Sequence, residues 1–273
     1  METKKKRNIL LTFVVIIAIL LILQLTGHLF DGVSDTFLAD FLLKLRSVVL
    51  AVLGALILRR MWIYKRFDGK LLKKSWATGL PELLIGFFAL SGFIIRKRTV
   101  SAEPIDIVFF VLEMICVGIH EETVFRGLLQ NAFHEIFGED TVKHVILATV
   151  CAGVTFGLLH LTNALEPDIS LSDAAIQALS ACGGGIFYGA VYFRTGKNLW
   201  YCALIHAIHD MAIFLAQGAL SGASSSAVIS QSSQSASVGM MIGQTVGYAL
   251  IGLFLLRKRK AEPLLTKPET EKV

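Results

Sequence analysis

The sequence predicts an all-α fold: a polytopic membrane helix bundle with about eight transmembrane helices. Three observations carry this. Of the 273 residues, 54% are hydrophobic and only 17% charged, against roughly 25% charged in a soluble domain. Mean hydropathy is +0.65. Apolar residues gather in runs, most of them near the ~20 residues a helix needs to cross a bilayer. The runs cover roughly 8–29, 37–58, 80–95, 105–136, 143–161, 172–193, 198–217 and 236–256.

The run at 8–29 follows Lys4, Lys5, Lys6 and Arg7, as a signal peptide would. No small-residue cleavage site follows, since the chain continues Gly27, His28, Leu29, Phe30, Asp31, so an uncleaved helix is expected. Asp31, Asp35 and Asp40 lie before or early in the second run, and Arg59, Arg60, Lys65, Arg66, Lys70, Lys73 and Lys74 come after it. Arg194 and Lys197 sit between the sixth and seventh runs, and Arg257–Lys260 close the eighth. Basic residues favour the cytoplasmic side, so both termini are expected there, in a cell membrane. Arg96, Lys97 and Arg98 break the pattern. The run before them, 80–95, is only about 24 Å of helix, which leaves it tilted, re-entrant or wrongly bounded.

The connections are short, so 1–260 reads as one membrane domain with a motif-bearing core at 105–215, and 261–273 as a polar disordered tail. The net charge of +5 lies at ends and loops. It fits contact with anionic lipid rather than nucleic acid. Cys116, Cys151, Cys182 and Cys202 lie in apolar runs without zinc or CxxC spacing and read as free thiols. Gly183, Gly184 and Gly185 suggest a close helix–helix approach. Residues 221–237, rich in Ser, Ala and Gln, read as an outer loop. Trp62, Trp76, Trp200, Tyr64 and Tyr201 fit an interfacial aromatic belt.

Four polar clusters interrupt the hydrocarbon-like pattern: His120, Glu121, Glu122 and Arg126; His160, four residues after Phe156; His206, His209 and Asp210; and Asn163, Glu166 and Asp168. The last reads as an exposed loop. A charge at the bilayer centre costs roughly 2.5–3.5 kcal/mol on insertion scales, so charges there mark an interior, functional site by default. With a turn near Gly138–Thr141, Glu121 and His160 each lie about 28–30 Å from it along antiparallel helices. They would then share one depth. Glu122 and Arg126 are i and i+4 and can pair, as are His206 and Asp210. Glu121 points about 100° from Glu122 and is left for proton work.

A metal site is the competing chemistry. His120-Glu121 opens like HExxH, but Val124 stands where the second histidine belongs. Glu121, His160, His206 and Asp210 could still hold one divalent ion such as zinc, although no cofactor is required by the pattern.

Glu-Glu-x-x-x-Arg (Glu121, Glu122, Arg126), then Phe-x-x-x-His (Phe156, His160), then His-x-x-x-Asp (His206, Asp210), in that order on separate helices, resembles the CPBP family of CAAX proteases and bacteriocin-processing (Abi) enzymes. The resemblance spans about 105–215. It implies an eight-helix intramembrane endopeptidase acting on a prenylated or leader peptide. By resemblance, Glu121 activates water and His160 orients it or helps transfer its proton. His206 and Asp210 stabilise the oxyanion, and Glu122 and Arg126 brace the site. Asparagine is common at the last position, and an ionised Asp210 cannot donate as asparagine does. Asp210 would then orient His206 or act protonated.

The bland readings are a structural ion-pair network for Glu121, Glu122 and Arg126, an interfacial histidine at 160, and an interhelical clamp for His206 and Asp210. His120 and His209 read as supporting residues, and His28, His134 and His144 carry no assignment. The alternative function is a non-catalytic membrane immunity or regulatory protein binding a peptide, or a sensor kinase as a membrane protein partner. A proton-coupled transporter is a weaker third idea, since no repeat is visible.

Overall fold

A computed structural model describes residues 2–58, 69–95, 100–166, 169–221 and 238–265. All regular structure among them is helical. In chain order the helices are α1 (Glu2–Leu25), α2 (Thr36–Leu58), α3 (Gly69–Ser75), α4 (Leu80–Ile95), α5 (Pro104–Glu122), α6 (Asn131–Phe137), α7 (Val142–Leu159), α8 (Leu171–Arg194), α9 (Leu199–Gln217), α10 (Val238–Leu255) and α11 (Lys258–Ala261). A π-helical segment, Thr123–Gln130, joins α5 to α6. The result is one helical rod over 104–137, about 50 Å long.

Six described stretches are long and apolar enough to cross a membrane: Lys5–Leu25, Thr36–Leu58, Lys70–Ile95, Val142–Leu165, Leu171–Arg194 and Leu199–Ser221. Met241–Leu255 is a shorter apolar helix. The 104–137 rod holds Asp106, Glu113, Glu121, Glu122, Arg126 and Glu135; Glu113, Glu122 and Arg126 are buried, whereas Glu135 near its end is exposed. The protein is a polytopic helical membrane bundle.

The run at 80–95 belongs to a 26-residue stretch beginning at Lys70. Lys73 and Lys74 interrupt its hydropathy but not its helix, because α3 and the 3-10 turn Trp76–Gly79 lead straight into α4. The end of the chain also differs from expectation. Ala261 is fully buried and packs with Val145 and Leu256, so ordered structure continues past 260. Arg59, Arg60, Trp62, Tyr64, Lys65, Arg66, Arg96, Lys97, Arg98, Asp168, the stretch 222–237 and the tail 266–273 lie outside the described residues.

Local chemistry sets the helix ends. Pro104 opens α5 behind a capping box between Glu103 and Asp106. The rod ends at Gly138, whose φ of +98° suits a residue without Cβ. Thr141 then caps α7 by accepting from the His144 amide. The helix ends sort into two faces. Lys197 pairs with Glu139, Arg194 donates to the Leu255 carbonyl at 3.1 Å, and the Tyr201 hydroxyl donates to the Trp76 carbonyl. At the opposite face, the Ser101 and Ala102 amides donate to the Leu220 carbonyl. Trp76 and Trp200 are half exposed on the first face, where an aromatic belt would sit.

Small residues set the helix spacing, as expected where lipid supplies no hydrophobic drive between helices. A Cβ on Gly118 of α5 would lie 2.4 Å from the Ala203 carbonyl oxygen of α9. The α7–α8 contact runs through Gly153 and Gly185, whose backbones approach so closely that neither admits a Cβ. In the glycine run, Gly183 meets the Thr245 backbone of α10, whereas Gly184 faces open space.

Candidate functional site

The site begins one turn beyond the Gly118–Ala203 contact. There α5 and α9 are close enough for side chains to bridge them. Glu122, with no exposed surface, places Oε1 2.8 Å from His206 Nδ1 and 3.0 Å from the Arg126 guanidinium. A carboxylate can only accept, so Nδ1 carries the proton and His206 Nε2 faces the other way. Glu121 Oε2 lies 3.7 Å from Nε2 and Asp210 Oδ2 lies 3.5 Å from it. Glu121 and Asp210 each keep 22% of their side chain exposed, against 0% for Glu122. One imidazole thus separates a sealed carboxylate from two accessible ones.

The π-helical segment follows directly. All eight of its residues are buried. Its wider turns place Arg126 and Gln130 against α8, where they donate to the Gly185 carbonyl at 3.4 Å and the Gly189 carbonyl at 3.0 Å. Val124, Phe125, Leu128 and Leu129 pack into the cluster with α1 and α2. Such i→i+5 segments recur at functional sites.

Aromatic rings wall the cluster. Phe156 of α7 sits edge-on to Phe125 and to His160, each at 4.6 Å, and the Arg126 guanidinium lies 4.7 Å from its centroid. Tyr188 of α8 stacks on His206 at 4.7 Å with rings 19° apart. His160 caps the end of α7, and its Nδ1 lies 2.9 Å from the Phe156 carbonyl oxygen. A carbonyl oxygen only accepts, so Nδ1–H donates and Nε2 keeps its lone pair. The electrostatic neighbours of Glu121 are His206, His160, His120 and Lys44.

Glu121, Glu122, Arg126, His206 and Asp210 therefore form one contact network, with Phe156 against it. His160 joins through Phe156 and through the field at Glu121, without a direct contact to either glutamate among the described contacts. The group bonded to His206 Nδ1 is Glu122, not Asp210. His120 has a buried Nε2 without a hydrogen-bond partner among the described residues. His28 and His144 pair with Asp31 and Asp140 away from the site, and His134 packs near Gln130 and Glu139. Asn163 donates to Gln177, and Glu166 is exposed. The four cysteines are free. No group of three or more His, Cys, Asp or Glu among the described residues has the geometry of a metal site.

Residues 103–212 match the family model described as Type II CAAX prenyl endopeptidase Rce1-like. The matched segment of this chain is thus similar to CAAX prenyl endopeptidases. The match runs from the capping residue of α5 to two residues beyond Asp210, so it contains all three motifs. No curated protein matches the chain. Glu82 of α4 and Tyr248 of α10 lie outside the matched segment, yet they reach the same region. Glu82, 1% exposed, lies 2.6 Å from His209 Nδ1 and accepts from the Tyr248 hydroxyl at 3.0 Å. Sequence reasoning passed over Glu82, although the rule that flagged Glu121, a carboxylate within an apolar run, applies to it equally.

Proposed function

We propose that the protein hydrolyses a peptide bond of a membrane-associated peptide, with a prenylated CAAX-type C-terminus as the first substrate class to test. Water is activated by Glu121. The observation that carries this reading is the division of labour between the paired glutamates. Glu122 is sealed between Arg126 and His206, while Glu121 remains partly open beside His206 Nε2.

In this mechanism Glu121 takes a proton from water, and the water oxygen bonds to the scissile carbonyl carbon. His206 stands where the developing oxyanion needs a donor. Carboxylates face both of its ring nitrogens, so the protonated ring is held to donate from each. Glu122 fixes the ring, and Tyr188 stacks beneath it. The proton held by Glu121 passes to the leaving amine as the C–N bond breaks, with His160 Nε2 as an acceptor along the way. Asp210 contributes through His206 rather than by donating to the oxyanion. Arg126 offsets the charge of Glu122, since an unpaired buried carboxylate would be costly.

The basic clusters at 4–7, 194–197 and 257–260 support placing both termini and the Trp76–Trp200 face on the cytoplasmic side. The deciding experiment is cleavage of a fluorogenic farnesylated tetrapeptide by purified protein in detergent, beside peptidomics of cells carrying wild type or Glu121→Ala. Turnover should fall by at least 100-fold in Glu121→Ala and in His160→Ala. Equal turnover by the variants and wild type refutes the mechanism. A full cellular phenotype from Glu121→Gln at normal protein level would favour a non-catalytic peptide-binding role.

A further inference from the structure

The mechanism above leaves one buried carboxylate unused. Glu82 sits in the span Lys70–Ile95 with 1% of its side chain exposed. The 3-10 turn leading into its helix is set against α9 at Gly79, which has no room for a Cβ against the Tyr201 hydroxyl, and a Cβ on Gly86 of α4 would lie in ordinary contact with Ile208 and Ala212. Glu82 lies between those glycines and meets His209. The 2.6 Å ion-pair contact between Oε2 and Nδ1 requires a hydrogen on one of the two atoms, because two lone pairs at that distance repel. Tyr248 donates to the same oxygen at 3.0 Å and holds it from the far side. His209 keeps 17% of its side chain exposed. It follows His206 by three residues, so the two rings are neighbours on one helix face. Each has Nδ1 against a sealed glutamate, one from α5 and one from α4.

We infer that Glu82 is a positioning residue that locks His209 with its Nε2 lone pair turned into the pocket, where it accepts a hydrogen bond from a backbone N–H of the bound peptide. The contact with peptide rests on the proposed function; the lock does not. Two carboxylate-held imidazoles then serve different ends: His206 faces the reacting carbonyl, and His209 holds the chain beside it. A structural clamp joining α4, α9 and α10 would need the Glu82 contact but would assign nothing to Nε2.

The test uses full-length protein with ¹⁵N-labelled histidine in detergent micelles, compared with Glu82→Ala, Glu82→Gln and His209→Ala. Wild type should show His209 as the Nδ1–H form with a bare Nε2. Glu82→Ala should lose that preference. Glu82→Gln, which can accept from or donate to Nδ1 while keeping the side-chain shape, should split the signal between tautomers even if the alanine variant folds poorly. With the farnesylated tetrapeptide, His209→Ala should raise KM about tenfold and change kcat less than twofold, as for one binding hydrogen bond. An Nε2–H form in wild type, or one unchanged in both Glu82 variants, overturns the lock. An unchanged KM in His209→Ala overturns the peptide contact. Failure of wild type to cleave the probe removes that contact together with the proposed substrate class, while the tautomer measurement still decides the lock.

Discussion

Substituting alanine for Gly118 should disable the site without touching any polar group in it. The added Cβ would lie 2.4 Å from the Ala203 carbonyl oxygen, 3.2 Å from the Ala207 amide nitrogen and 3.3 Å from the Ala203 carbonyl carbon. All three belong to backbone, which cannot swing aside as a side-chain tip can. Ordinary contact begins at 3.4 Å, so α5 and α9 must part by about 1 Å, the difference between 3.4 and 2.4 Å. The same movement takes the Glu122–His206 contact from 2.8 Å to about 3.8 Å, beyond hydrogen-bond range. Displacement of a catalytic group by 1 Å costs on the order of 100-fold in rate, or about 2.7 kcal/mol of barrier. The overpacking itself should lower stability by about 1–3 kcal/mol. Gly247→Ala is the control, because a Cβ there meets nothing within 4 Å. Peptide cleavage and thermal melting in detergent should both fall for Gly118→Ala and stay near wild type for Gly247→Ala. A Gly118→Ala protein that melts and turns over like wild type would show that this contact does not set the geometry.

Arg126→Met should destabilise the fold by about 3–5 kcal/mol by stranding Glu122. Adding Glu122→Gln should restore part of that loss, and additive effects in the melting cycle would deny the coupling. Outside the spans, the hydrogen bond from His144 holds the Asp140 carboxyl below the usual carboxylate range. That contribution is complete above the unfolded carboxylate pKa and disappears as pH falls through the lowered folded value. His144→Ala should move the Asp140 titration up toward the ordinary range, followed by carboxyl NMR. Chelation with EDTA or phenanthroline should leave peptide cleavage unchanged if Glu121 acts on water directly; loss of activity reversed by added zinc would move Glu121, His206 and Asp210 into a ligand set.

The bundle was readable because lipid forces every backbone group into a helix, and apolar runs then mark the rods. Boundaries were weaker where charge and helix disagree. Lys73 and Lys74 hid the start of the 70–95 stretch although helical structure passes through them. In the site, spacing along single helices disclosed Glu122 with Arg126 and the neighbouring pair His206 and Asp210. Contacts between helices were another matter. Helical spacing linked His206 to Asp210, but its tightest partner is Glu122, 84 residues earlier. Tyr188 and Tyr248 could not be told from membrane aromatics until α8 and α10 were placed. Nothing in TVFRGLLQ, with no proline and a single glycine, announces a π-helical turn. That turn is visible only through the carbonyls it lets Arg126 and Gln130 reach.

Those two carbonyls, on Gly185 and Gly189, are four residues apart, as are the side chains that hold them. The pairing works like teeth on a rack. A slide of α8 along the 104–137 rod by less than a full turn would break both of these contacts at once, so the two helices form a fixed wall. Entry of a long substrate, and release of its fragments, must therefore use the helices that this rack does not grip.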